Sequence, residues 1–166
     1  MRLEESAPCA YGELTIFKEY QDGNQEHVLT ERNTITMPSR RHHLAFLYDN
    51  TTPFDLLNTF KVGTGGVLDP EGLRPIAPDP TNNDLYAPIN TGINTDVTIT
   101  PSDPTDDTQV YIQIVYSLSQ DEGNGQEISE TALFKESGDM FNIKTFRSIS
   151  KTDAFSLIFQ WRIRYI

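Results

Sequence analysis

Between Phe155 and Tyr165 every second residue is large and apolar: Phe155, Leu157, Phe159, Trp161, Ile163 and Tyr165. Ser156, Gln160, Arg162 and Arg164 fall between them. Side chains on an extended strand point alternately to opposite faces, whereas a helix would scatter this apolar set around its circumference. The period of two therefore requires a strand with one buried and one wetter face, which favours antiparallel pairing.

The same pattern recurs upstream. Val110, Ile112, Ile114, Tyr116 and Leu118 share one face of a strand, with Tyr111, Gln113, Val115 and Ser117 opposite. Asp96 to Thr100, Met140 to Phe146 and Leu56 to Val62 also read as strands. Glu13–Lys18 and His27–Thr36 flank a polar turn at Gln21–Gln25, so residues 13–36 form an N-terminal hairpin. One helix is expected over residues 38–49. Pro38 or Ser39 starts it, Leu44, Leu47 and Tyr48 recur at three- and four-residue steps, and the run Asp49–Pro53 ends it. Arg40, Arg41, His42 and His43 crowd its first turns. Cations there oppose the helix dipole, so an acidic partner is expected in this chain or a neighbour. Seven or so short strands and one helix predict a mainly β chain: an antiparallel β-sandwich forming a single domain over residues 1–166.

Residues 67–94 fit neither period. They contain Pro70, Pro75, Pro78, Pro80 and Pro88, which fix φ and remove hydrogen-bond donors. Loops of this length inside a compact domain tend to be functional or interface-forming. The Pro-rich arm is therefore expected to reach out to neighbouring chains. Leu68, Leu73, Pro75, Ile76, Leu85 and Tyr86 are its interface candidates, beside the basic helix start, and deletion of Leu68–Pro80 is expected to leave the fold intact. Just before the arm, Gly63-Thr64-Gly65-Gly66 lacks the Lys-Ser/Thr of a phosphate loop and has no helix pattern after it. A tight turn at a strand end, with glycine supplying positive φ, is expected there.

Charge and composition exclude several classes. The net charge is −11, which disfavours nucleic-acid and anionic-membrane partners. The single cysteine, Cys9, cannot form an internal disulfide or a Cys-rich zinc site. There is no apolar run of about 18 residues to span a membrane, and the N-terminal stretch lacks a secretory pattern. A chain made in a cytoplasm, which stays soluble or enters a particle assembled there, is expected. No nucleophile elbow occurs, and adjacent His42 and His43 lack the spacing of a chelating pair. Asp103, Asp106 and Asp107, then Asp121, Glu122 and Glu127, do not match a calcium-loop spacing, although calcium in one of these loops stays open. No cofactor, metal site or catalysis is expected.

A set of phrases, in order, resembles a family of small tailed-phage virion structural proteins. Asn33-Thr34-Ile35-Thr36 is similar to its opening phrase. Phe60-Lys61-Val62-Gly63-Thr64-Gly65-Gly66 resembles its step from apolar strand to G-x-G, and Asp84 to Ile89 its Pro-containing loop. Ile128-Ser129-Glu130-Thr131-Ala132-Leu133-Phe134 looks like its I-x-E-x-A-L-F phrase. Gly138 to Phe146, Ser148 to Thr152 and the closing Leu157–Tyr165, with Trp161, continue the series. The chain departs from the pattern at Arg40-Arg41-His42-His43, where the family often carries a glycine.

The resemblance implies a virion building block without cofactor or catalytic motif, placed among tail, baseplate, neck or fibre components. Its partners would be other virion proteins and copies of itself. Capsid decoration, or a receptor- or glycan-binding sandwich, is the alternative. Gly63, Gly65, Gly66, Glu130, Lys151 and Trp161 are expected to serve structure. Glu130 lies inside an apolar phrase; it either points inward and pairs with a donor such as Lys151, or sits exposed at a strand edge.

Overall fold

The computed structural model describes residues 11–41, 55–89, 98–101 and 111–164. Nine strands run along them: β1 (Tyr11–Tyr20), β2 (Gln25–Arg32), β3 (Thr34–Ile35), β4 (Leu57–Gly63), β5 (Thr98–Pro101), β6 (Tyr111–Leu118), β7 (Glu127–Lys135), β8 (Met140–Ser150) and β9 (Phe155–Arg164). They form two antiparallel sheets, one ordered β2-β1-β9-β6-β5 and the other β3-β8-β7-β4. The chain is thus mainly β and its sheets stack as a sandwich, as the alternation of β9 requires.

β9 lies at the centre of the first sheet, between β1 and β6. Its buried row Phe155, Leu157, Phe159, Trp161 and Ile163 faces inward, flanked by Leu14 and Ile16 of β1 and by Ile114, Tyr116 and Leu118 of β6. Phe60 and Val62 of β4, Leu133 of β7 and Phe146 of β8 meet them from the second sheet. The Tyr116 ring stacks between Phe60 (3.7 Å between centroids) and Phe159 (5.0 Å). A polar relay crosses this core. The Trp161 indole N–H donates to the Tyr116 oxygen at 2.8 Å, Tyr116 and Thr131 hydroxyls lie 2.6 Å apart, and Thr131 donates to the Lys61 carbonyl at 3.0 Å. An indole only donates and a carbonyl only accepts, so Tyr116 must donate to Thr131. Burial pushes the Tyr116 phenol well above its ordinary pKa, and the hydroxyl keeps its proton.

The expected hairpin over residues 13–36 is two features. β1 and β2 form a hairpin closed by Gly23 at φ 81°, with its amide donating to the Tyr20 carbonyl. The chain then turns at Asn33 and re-enters as β3, paired with β8 in the other sheet. The Asn33 amide donates to the Gly12 carbonyl at 3.0 Å, and a Cβ on Gly12 would lie 2.0 Å from Asn33 Oδ1. On the same side Glu31 of β2 and Lys144 of β8 form an ion pair at 2.5 Å, joining the sheets.

Helical geometry begins at residue 37, one residue before Pro38, and is described through residue 41. Thr36 is the cap, its carbonyl accepting the Arg40 amide at 3.0 Å. The Thr36 and Ser39 hydroxyls both donate to the Met140 carbonyl, tying the helix start to β8. Arg40 and Arg41 are exposed. His42, His43 and the rest of the expected helix lie outside the described residues, as do Cys9, residues 90–94 of the arm, and Asp103, Asp106 and Asp107.

Candidate functional site

β7 does not alternate between wet and dry. Every residue from Ile128 to Lys135 is buried. Thr131 and Leu133 face the sandwich core, while Ala132 and Phe134 form a separate apolar cluster with Met140, Ile143 and Leu85. Leu85 belongs to the Pro-rich arm. The described part of the arm, residues 67–89, therefore packs through Leu85 on the outer face of the second sheet. Irregularities in the β7–β8 register between Ile128 and Glu130 let Ile128 also face the core.

Glu130 holds the arm down. Its side chain is fully buried, and it pairs neither with Lys151 nor with solvent. Oε1 accepts the amides of Gly65 (3.1 Å) and Ala87 (2.7 Å), and Oε2 accepts that of Tyr86 (2.9 Å). One carboxylate thus ties Gly65, just before the arm, to Tyr86 and Ala87 on its returning stretch. A buried carboxylate is tolerated when several donors converge on it, and charged hydrogen bonds contribute about 1.5–3 kcal/mol each. Around this clamp the Thr64 amide donates to the Ala87 carbonyl (2.9 Å) and the Ile89 amide to the Val62 carbonyl (3.0 Å), so the returning arm pairs with the free edge of β4. Ser129 Oγ accepts the Gly66 amide at 2.9 Å, and Thr145 Oγ1 donates to the Ile76 carbonyl at 2.5 Å.

The glycines before the arm are explained by this clamp rather than by turn geometry. Positive φ occurs at Gly23, Gly72, Gly123, Gly125 and Gly138, and not at Gly63, Gly65 or Gly66. A Cβ on Gly63 would stand 2.4 Å from Glu130 Oε1, and one on Gly66 would stand 2.0 Å from the Ser129 carbonyl oxygen. Backbone must approach backbone here, and a side chain would hold it off.

Residues 67–75 form a braced tip. Its base closes through the Leu68 amide to the Arg74 carbonyl at 2.8 Å. The Asp69 carboxylate accepts the amides of Leu73 (3.0 Å) and Arg74 (2.8 Å) and pairs with the Arg74 guanidinium at 3.3 Å. The Leu73 amide bond, ahead of the Arg74 contacts, holds its pKa below the usual aspartate value against the opposing effect of burial. Gly72, at φ 70°, docks on β8: its carbonyl accepts the Ser148 amide at 2.9 Å, and a Cβ would meet Ser148 Oγ at 2.5 Å. The tip leaves Leu68 66% and Leu73 57% exposed. Pro75 and Tyr86 are also exposed, Ile76 is half-buried, and Leu85 is only 6% exposed, so Leu85 is a core residue and no interface candidate.

Lys151 lies elsewhere, at the crossing from β8 to β9. Its ammonium donates to the carbonyls of Gln120 (3.2 Å) and Thr152 (2.8 Å) and to Asn124 Oδ1 (3.1 Å), matching three donors with three acceptors. Burial lowers its pKa, opposed by Asp153, Glu122 and Asp121. It plugs the turn between β6 and β7, where Gly123 and Gly125 take positive φ. That turn also spends Glu122, whose carboxylate accepts the Ser119 amide at 2.9 Å. Among the described residues no group of three or more His, Cys, Asp or Glu side chains is placed to hold a metal ion, and no described helix is long and apolar enough to cross a membrane.

Sequence reasoning overlooked Ser129, Thr145 and Asp69. Only Asp69 carried a local signal, the turn-forming run Asp69-Pro70-Glu71-Gly72. Comparison with known proteins returned no matching family model, no matching curated protein and no matching solved structure.

Proposed function

We propose that this chain is a virion structural protein that works by assembly and not by catalysis, as a tail, baseplate or neck component. The observation that supports this reading most is how the conspicuous polar groups are used. Glu130, Thr131, Lys151 and Trp161 lie within the phrases that resemble the phage family, and each is satisfied inside the chain, Thr131 and Trp161 through Tyr116 of β6. Such groups rigidify a module and leave its surface to other chains. The partners are other virion proteins and copies of the chain, and the strongly negative charge suits partners with basic docking faces.

Quantitative mass spectrometry of purified particles, made from the genome that encodes the chain, tests this. The expected result is this chain at a constant ratio to the major structural proteins across preparations. Its recovery only from the soluble lysate would refute the reading.

A further inference from the structure

The arm can bury a leucine, as Leu85 against Phe134, Met140 and Ile143 demonstrates. Its tip does the opposite, presenting Leu68 and Leu73 to solvent. The tip cannot hide them by collapsing: Asp69 staples it from within, and Gly72 fastens it to Ser148. Exposed apolar side chains on a braced turn are a preorganised contact, because ordering the loop costs little further at binding.

Beside the tip lies an open cleft bounded by Asp69, Glu71, Glu127 and Ser148, and among the described residues no lysine or arginine lines it. Glu71 and Glu127 are exposed. The tip's own cation, Arg74, is engaged by Asp69. We infer that residues 67–75 and this cleft dock a basic, leucine-bearing segment of a different protein. Its apolar side chains cover Leu68 and Leu73, and its Lys or Arg side chains enter the cleft toward Glu71 and Glu127. Charge selects against a second copy: a chain of net charge −11 brings acid to acid, whereas a basic segment gains from every carboxylate it meets. The inference deepens the assembly reading and rests on it for the identity of the partner as a virion protein.

The test has a solution arm and a particle arm. In solution the probe is a labelled twelve-residue peptide of alternating leucine and lysine, titrated by fluorescence anisotropy at physiological salt. Wild type is expected to bind it. Leu68→Ser/Leu73→Ser and, separately, Glu71→Lys/Glu127→Lys are each expected to weaken binding at least tenfold. Ile112→Ser, at an exposed apolar site on the other sheet, is expected to leave it unchanged. Equal binding by all four proteins would overturn the inference, as would sedimentation showing a wild-type dimer that Leu68→Ser/Leu73→Ser abolishes. In the particle arm, wild type is expected in particles and Leu68→Ser/Leu73→Ser, with an unchanged Tm, is expected to be depleted at least tenfold. Wild type and variant present equally would overturn the docking inference alone, whereas absence of both would overturn the assembly reading.

Discussion

A carboxylate buried among apolar neighbours is costly to remove as well as to place. Glu130→Ala leaves the amides of Gly65, Tyr86 and Ala87 without their acceptor, at about 1–3 kcal/mol for each buried group left unsatisfied. Urea unfolding is expected to register a loss of about 3 kcal/mol or more, and limited proteolysis is expected to cut first within residues 64–89. Unchanged stability would mean that the arm is held by other contacts. Tyr116→Phe removes the acceptor of the Trp161 indole and the donor to Thr131 while keeping both ring stacks. The expected loss is about 1–3 kcal/mol without change of fold, read by urea unfolding and near-ultraviolet circular dichroism.

At the scale of elements, the period of two made β6 and β9 legible, because one face of each is buried and the other is not. It failed on β7, whose outer face is covered by a segment more than forty residues away in sequence. No local pattern records that covering. The glycines at 63, 65 and 66 were legible as special positions, but their reason, the approach of Ser129 and Glu130, is also long-range. Lys151 was visible as a charge in a turn, and its acceptors in the 120–124 turn were not. The arm is accordingly an integral layer. Deleting Leu68–Pro80 removes the ties from Gly72 to Ser148, Ile76 to Thr145 and Pro80 to Met37, and is expected to cost about 2–4 kcal/mol at roughly 0.5–1.5 kcal/mol per hydrogen bond.

The tip adds a pH dependence of its own. The folded-state pKa of Asp69 lies below the unfolded value, so its stabilising effect is complete above the ordinary aspartate range, about 3.9. It is lost as pH falls through the lower folded value. Amide hydrogen exchange at Leu73 and Arg74 is expected to show protection, after correction for the intrinsic rate, that holds above pH 4 and falls below it. Asp69→Asn is expected to abolish that step, and its persistence would assign the brace to another group.

At the scale of the whole molecule, two sheets share an aromatic core, an arm packs on the outer face of one, and a stapled tip, fastened to β8 through Gly72, presents Leu68 and Leu73 to solvent. The fold class was readable because strand periodicity is a local property of the chain. The candidate interaction surface was only half readable: the exposed leucines were distinguishable from Leu85 only once the arm was seen lying on the sheet. The most direct measurement is a reconstruction of purified particles at side-chain detail. The expected result is repeated copies of the β2-β1-β9-β6-β5 and β3-β8-β7-β4 sandwich, with Leu68 and Leu73 covered by a basic neighbouring chain. A complete particle lacking this sandwich would contradict the assembly role outright.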